Sequence, residues 1–451
     1  MHHRATTQAV AFLESWLDYR SRHADIPGFS VAVWVNDSVV FSRAYGDADA
    51  ERHKPLTTDH LFQMASQTKM LTAVAIMQLI EAGRLKLTDR AYTYLPWLAK
   101  HLDKGMRTVT IKQLLCHQSG LLRDGDQADH WLFTEPSPRR ADFEKLILQT
   151  PLTFAPGTRI KYSNLGYGLL GQIIEAVSGQ SYRRYVTEAI IRKVALRPVY
   201  VDFNQKFAES VPVGYGVPLY HHRPPIIPRQ AAQSLAAATG LHATPAGMVT
   251  LAAGLFFGDN RLLNDRSKKR MQTSYSIGTG YDQGVEFGLG HEIQQVGQWR
   301  VVGHSGHVGG HVSATYFDSA RKVAVAVAAN AKDAPSAAIA QGIIGVLDFF
   351  DRSTPLKVPA QARFAARLYN EMSTVQIVHI DNIIVVIDPD DWQPFSWYET
   401  AKILDDSTLQ VTTKGSIYNE DELIRYTFDG EKVKKVVFAG FTMYPDKDWY
   451  K

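Results

Sequence analysis

Strand-forming sequence stands on both sides of a long, mainly helical stretch, and this arrangement limits the folds open to the chain more than any other feature. From Phe29, the run FSVAVWVNDSVVFSRAYG reads as two strands about the turn Asn36-Asp37. A helical pattern, KMLTAVAIMQLIEAG, follows Ser66 and stops at Gly83, where a C-terminal glycine belongs. From Asp89 to about Gly290 the pattern stays mainly helical, broken by turns such as Pro156-Gly157. Strand signals return over 284–330, with Val323–Ala329 (VAVAVAA) as a buried strand, and Ala334–Phe350 reads as a closing helix. These patterns predict an α/β part over about 1–65 and 284–352, split around a mainly helical part over about 66–283. Beyond Pro355–Pro359 the chain alternates apolar and polar residues, with turns at Asp381-Asn382 and Asp429-Gly430. A small all-β domain is therefore expected over 375–451, behind a linker at 353–374. At about 150 residues per domain, a chain of 451 residues has room for this division.

Composition excludes several function classes. The 49 basic and 45 acidic residues leave a net charge of +4, too little to draw the chain to nucleic acid or an acidic membrane surface. No run approaches the roughly 18 apolar residues of a spanning helix. The N-terminal MHHRATTQAVAFLESWLDYRSRH has helical periodicity and lacks a signal-like apolar core, so a cytoplasmic location is expected. The single cysteine, Cys116, excludes an internal disulfide framework and any CxxC centre.

Three short motifs carry candidate chemistry. In Ser66-Gln67-Thr68-Lys69 the hydroxyl and the amine fall one helical turn apart. Ser66 could simply cap the helix, but a lysine in the first turn opposes the helix dipole, where a capping box would place Glu. The same positive potential, with burial, would lower the Lys69 pKa toward a neutral base able to activate the serine. A second SxxK match, Ser319-Ala320-Arg321-Lys322, lies in a turn before a strand. In Tyr162-Ser163-Asn164 a phenol beside Lys69 would have its pKa lowered by the ammonium, and Asn164 would offer an amide to a substrate carbonyl; the plainer reading is a turn with Asn164 as helix cap. The stretch 303–311, GHSGHVGGH, admits three readings. His304, His307 and His311 could ligate a metal, although four glycines and no carboxylate argue against it. Ser305 could sit in a G-x-S-x-G elbow, but His307 occupies the last position. Otherwise the segment is an edge strand lining a cleft, its glycines admitting substrate, with His304 facing the reaction centre and the His307 N–H serving an oxyanion.

Together, SxxK, YxN and HxG in this order resemble the serine β-lactamase-like, penicillin-binding-protein-like family, close to class C β-lactamases, family VIII carboxylesterases and D-aminopeptidases. Leu114–Leu121 (LLCHQSGL) resembles the family's LLxHxSGL, and Phe154–Asn164 its FxPGxxxxYSN. Ala238–Thr244 resembles its glycine-rich entry to the later helices, and residues 303–318 its GHxGxxxGxxSxxxxxP, with Asp318 near the usual proline. The likeness covers about residues 8–350; the β-rich end is similar to the C-terminal domains of some members. It implies an antiparallel sheet flanked by helices, an all-helical subdomain and no cofactor. It further implies that Ser66 forms an acyl-enzyme, that Lys69 and Tyr162 move protons, and that Asn164 positions substrate. The Ser66 and His307 N–H groups would form the oxyanion hole, with Gly306 between His304 and His307 in the HxG strand. His304 stands where a lactamase has the lysine of KTG, which points to a small ester or amide substrate. The leading expectation is an esterase-like serine hydrolase. Its alternatives are a D-amino-acid-specific peptidase, a weak β-lactamase, or an inactive binding protein of the same fold. Loops 122–140 and 211–230, with Trp131, Phe133, Tyr215 and Tyr220, are where specificity is expected.

Overall fold

The computed structural model describes residues 1–126, 128–194, 198–219, 222–226, 230–279, 283–352, 363–380 and 383–445, without the Leu132 side chain. They form two compact units, residues 25–340 and residues 1–24 together with 341–451.

The first unit contains β1 (Gly28–Val35), β2 (Ser38–Asp49), β3 (Lys54–Pro55), β4 (Phe62–Gln63), β5 (Val199–Val201), β6 (Gly214–Tyr215) and β7 (Pro225–Ile226). It continues with β8 (Leu241–Ala243), β9 (Ser276–Ile277), β10 (Glu286–Phe287), β11 (Glu292–Val296), β12 (Trp299–Val308), β13 (His311–Asp318) and β14 (Val323–Ala329). Nine of these strands form one antiparallel sheet in the order β3-β2-β1-β14-β13-β12-β11-β10-β9. The first strands of the chain thus pair with the last of the unit, Val31 opposite Val327, and close the sheet around the helical insertion. At the expected turn Asn36 takes φ +56°, the left-handed conformation that asparagine tolerates. Every residue of β14 is buried, as a strand covered on both faces requires. Its Ala324, Ala326 and Ala328 share a core with Ala32, Met248, Val249 and Leu251, and these small side chains let the helix Pro245–Ala253 pack on β1 and β14.

Between β4 and β9 the chain is mainly helices and loops. The helix Thr68–Glu81 is its axis, buried from Thr68 through Met77, and Gly83 beyond it takes φ +69°. Such a helix is apolar all round because neighbours cover every side. The expected helix start moves: Ala65–Gln67 form a 3₁₀ turn and the α-helix begins at Thr68, so Ser66 does not cap it. The long loop at 211–230 contains the β6–β7 ribbon, with Tyr220, His221 and 227–229 outside the described residues.

In the second unit β15 (Ala366–Tyr369), β16 (Thr374–Ile380), β17 (Ile383–Ile387), β18 (Glu399–Asp405), β19 (Thr408–Val411), β20 (Leu423–Asp429), β21 (Lys432–Phe438) and β22 (Phe441–Pro445) close a barrel. Alternate residues point inward, so Leu368, Ile377, Leu409, Ile424, Val436 and Met443 fill it. The boundaries depart from expectation at both ends. β15 lies inside the stretch 353–374 read as linker, of which 353–362 is outside the described residues, as is the turn Asp381-Asn382. The helix His3–His23 belongs to the barrel unit and not to the 1–352 span expected for the catalytic domain. The physical reason is its contacts: Trp16 Nε1 donates to the Pro389 carbonyl (3.1 Å), Tyr19 and Arg20 bond Asp390 (2.8 and 3.0 Å), and the Phe12 ring lies 5.2 Å from that of Phe395. Periodicity marks this helix as amphipathic and cannot say which apolar surface covers it.

Leu409 is fully buried at the barrel centre. Leu409→Ala is expected to lower the unfolding free energy of this unit by about 2–5 kcal/mol, read as a lower denaturant midpoint.

Candidate active site

The turn that presents Ser66 is strained. Ala65 takes φ +49°, unusual for a residue with a Cβ, and directs the chain sharply from β4 into the helix. Ser66 is half-buried, and the Lys69 amine lies 3.0 Å from its Oγ. Lys69 is fully buried. Its Nζ donates to Asn164 Oδ1 (2.7 Å) and to the Ala238 carbonyl (3.1 Å), groups from two other segments of the helical region. Burial holds the Lys69 pKa well below the ordinary lysine value, against the opposing pull of Asp124 and Glu292. A neutral amine with both N–H groups engaged has its lone pair free for the Ser66 proton.

Asn164 is the first residue of the helix Asn164–Ser178, whose cap is Ser163, its Oγ accepting from the Gly166 N–H (3.0 Å). The Asn164 amide is therefore free to bridge, and its Nδ2 donates to Asp124 Oδ1 (2.6 Å). Tyr162 precedes this helix, with Lys69 Nζ 4.8 Å from its ring centroid, and its hydroxyl hydrogen-bonds Ser66. The expectation of a lowered phenol pKa is reversed. Burial pushes Tyr162 above the ordinary tyrosine value, with the Ser66 hydrogen bond only partly opposing it. The cation that was to lower it is missing, because the burial that surrounds both groups also discharges Lys69. Tyr162 is thus a protonated phenol in the resting site.

β12 forms the opposite wall. A Cβ on Gly306 would stand 2.1 Å from the Met64 carbonyl oxygen, so glycine lets the strand lie against the Ser66 turn. Ser313, paired with Gly306 on β13, ties the two together: its Oγ donates to Met64 O (3.2 Å) and accepts from Gln67 Nε2 (2.7 Å). His304 is buried, with its ring 6.1 Å from that of Tyr162. His307 lies at an odd spacing from it along the strand and is exposed. His311 is on β13, accepting from the Gln63 N–H at Nδ1 (3.0 Å). The three histidines are therefore separated, and no group of three potential metal ligands occurs among the described residues. Ser305 lies within β12 and donates to Glu292 Oε1 (2.8 Å), so the elbow geometry is absent there. Ser319 of the second SxxK is buried in a turn, donating to the Leu255 carbonyl (3.1 Å).

Ser66, Asn164 and His307 open onto one cavity of about 590 Å³, shared with Arg123, Asp124, Asp129, Trp131, Phe133, Ile226 and Lys332. Lys69, Tyr162, His304 and Gly306 are not among its lining residues and support it from within. The loop aromatics divide. Trp131 and Phe133 line the cavity, whereas Tyr215 is buried with its hydroxyl accepting from the Ala50 N–H (2.8 Å). Sequence reasoning missed Asp124, Glu292 and the part played by His117. The His117 Nδ1 accepts from the Ser163 N–H (3.2 Å), and its ring lies 4.3 Å from that of Tyr162, holding the phenol in place. The LLCHQSGL motif signals His117; nothing in the sequence marks Asp124 or Glu292 apart from other acids.

A family model described as Beta-lactamase matches residues 13–345. The chain belongs to this family. Protein flp of Staphylococcus aureus (strain MRSA252) is 29% identical over 212 residues, 47% of this chain and 42% of that protein. The chain thus spans under half the length of this relative. The octameric penicillin-binding protein homologue from Pyrococcus abyssi superposes with a TM-score of 0.67 at 22% identity, covering 96% of this chain and 99% of that one. A D-stereospecific amidohydrolase from Streptomyces sp. superposes with a TM-score of 0.60 at 22% identity, covering 74% and 95%. Membership in the beta-lactamase family gives the chain a hydrolase-like fold, one that it shares with the Streptomyces amidohydrolase.

Burial favours the uncharged amine, so Lys69 is expected to lose its proton at a pH well below the ordinary lysine value. In ¹³C NMR of the lysine Cε carbons, one resonance should titrate below the rest and vanish in Lys69→Arg. A Lys69 signal titrating with the bulk would show that the amine is charged at neutral pH.

Proposed function

We propose that the chain is a serine hydrolase that works through an acyl-enzyme, esterase-like toward small acyl or aryl esters. The observation that carries this reading is the Lys69 amine 3.0 Å from Ser66 Oγ, its other two bonds made to pure acceptors. Ser66 Oγ attacks the ester carbonyl carbon while its proton passes to the Lys69 lone pair. Tyr162 then donates its hydroxyl proton to the departing alkoxide or phenoxide and recovers one from Lys69. Water, deprotonated by the same pair, releases the acid in the second half-reaction. The Ser66 and His307 N–H groups hold the oxyanion, each donor supplying about 3 kcal/mol of barrier lowering. His304 bears on the substrate. Burial lowers its pKa, so it offers no fixed positive charge where a lactamase lysine meets a carboxylate. A neutral ester suits that site better than an anionic β-lactam.

A second reading, hydrolysis of D-amino-acid amides, is favoured by Asp124 and Asp129 on the cavity wall, where a substrate ammonium would find a carboxylate. The structural neighbour described as a D-stereospecific amidohydrolase agrees with it.

With p-nitrophenyl acetate, the wild type is expected to show a nitrophenol burst and a mass increase of one acetyl group. Ser66→Ala should abolish both, and Lys69→Arg should slow acylation by about 10²- to 10⁴-fold. Equal rates in wild type and Ser66→Ala would sink the hydrolase reading.

A panel of D-amino-acid p-nitroanilides, free or N-acetylated, separates the two substrate readings. If the ammonium is recognised, Asp124→Asn should lower kcat/KM for the free amines about 10-fold or more relative to the acetylated ones. An unchanged ratio removes the amide reading.

A further inference from the structure

Glu292, on β11 opposite Gly303, is buried, and both of its oxygens are engaged at the back of the site. Oε1 accepts from Ser305 Oγ (2.8 Å) and lies 3.3 Å from His304 Nδ1. Oε2 accepts from the Ser305 N–H (3.2 Å) and the Tyr316 hydroxyl (3.1 Å). His304 Nδ1 also lies 2.6 Å from the Ser305 carbonyl oxygen. A carbonyl and a carboxylate offer only lone pairs, so a nitrogen held against both must carry hydrogen. In a neutral imidazole the other nitrogen is then a bare acceptor. Nε2 of His304 is that nitrogen; it is buried and has no hydrogen-bond partner among the described residues. Among the titratable groups about this ring, Glu292 favours its charged form, while Lys69, His117 and His291 are themselves kept uncharged by burial.

We propose that Glu292 is a positioning residue: with the Ser305 carbonyl it holds the His304 proton on Nδ1, leaving Nε2 as a neutral hydrogen-bond acceptor within the site beside Tyr162. This role in turnover rests on the acyl-enzyme reading above, whereas the tautomer itself does not. The arrangement sets His304 apart from a lysine at the same place. A lysine ammonium can only donate, and His304 in this tautomer offers an unpartnered acceptor at Nε2. A donor hydroxyl, such as that of Tyr162 or of a leaving alcohol, is the group that such an acceptor suits.

The test reads the tautomer directly. In ¹⁵N-histidine-labelled protein at neutral pH, with the His304 signals assigned by their loss in His304→Gln, the expected state is neutral with hydrogen on Nδ1. Glu292→Gln can turn its amide N–H₂ toward Nδ1 and should move the population toward the Nε2–H form. It should also lower kcat for p-nitrophenyl acetate about 10- to 100-fold, with KM within about 2-fold. Tyr316→Phe removes a hydrogen bond from Glu292 without touching the imidazole and should leave the tautomer in place. A native His304 that is charged, or that carries its hydrogen on Nε2, overturns the proposal whether or not the variants fold. So does a Glu292→Gln protein whose tautomer and kcat match those of Tyr316→Phe. Should no ester be turned over while the Nδ1–H form is seen, the hydrolase reading fails and the structural role of Glu292 stands.

Discussion

The burial of the Lys69 amine is the constraint on which the rest of the site depends. Sealing an ammonium in a protein interior costs several kcal/mol even after relaxation, whereas a neutral amine with two satisfied N–H groups avoids most of that cost. The fold supplies those two acceptors from remote segments, Asn164 at the start of one helix and the Ala238 carbonyl ahead of β8. Asn164 is in turn locked by Asp124, so the acceptor facing Lys69 is the amide oxygen and not the nitrogen. One buried lysine therefore dictates an asparagine orientation, an acid behind it, and a lone pair aimed at Ser66.

The same burial sets the state of Tyr162. A phenolate there would need a neighbouring cation, and a discharged Lys69 cannot serve. Tyr162 keeps its proton in the resting site, so in the proposed reaction it acts as a relay and not as a resting base. His304 follows the same logic on β12. Enclosed by β11 and β13, it is uncharged, and the acid beside it acts through geometry by choosing which ring nitrogen bears hydrogen. Lys69, Tyr162 and His304 thus rest uncharged behind a cavity whose wall carries Arg123, Asp124, Asp129 and Lys332.

Much of this was legible in the primary structure. Ser66 and Lys69 at i and i+3, Tyr162 and Asn164 two apart, and the glycines about Gly306 each follow from a spacing rule, and the structure brings all of them to one place. The strands, the turn at Asn36 and the barrel's alternation were legible too, because period and turn residues are local. The direction of the Tyr162 shift was not, since it depends on how much water reaches the phenol. Neither were Asp124 and Glu292, ordinary acids until the chain folds around them, nor the pairing of the first helix with the barrel unit through Trp16 and Asp390.

By itself, then, the sequence determined the chemical inventory and its local geometry: a hydroxyl one helical turn from an amine, a phenol two residues from an amide, a strand able to approach closely where it has glycine. Tertiary structure alone decided the charge states and the partnerships. Those depend on desolvation and on contacts between residues far apart in the chain, Lys69 with Asn164 and Ala238, His304 with Glu292 across two strands. Spacing along a chain fixes what can lie side by side on one element, and only packing fixes what is kept from water.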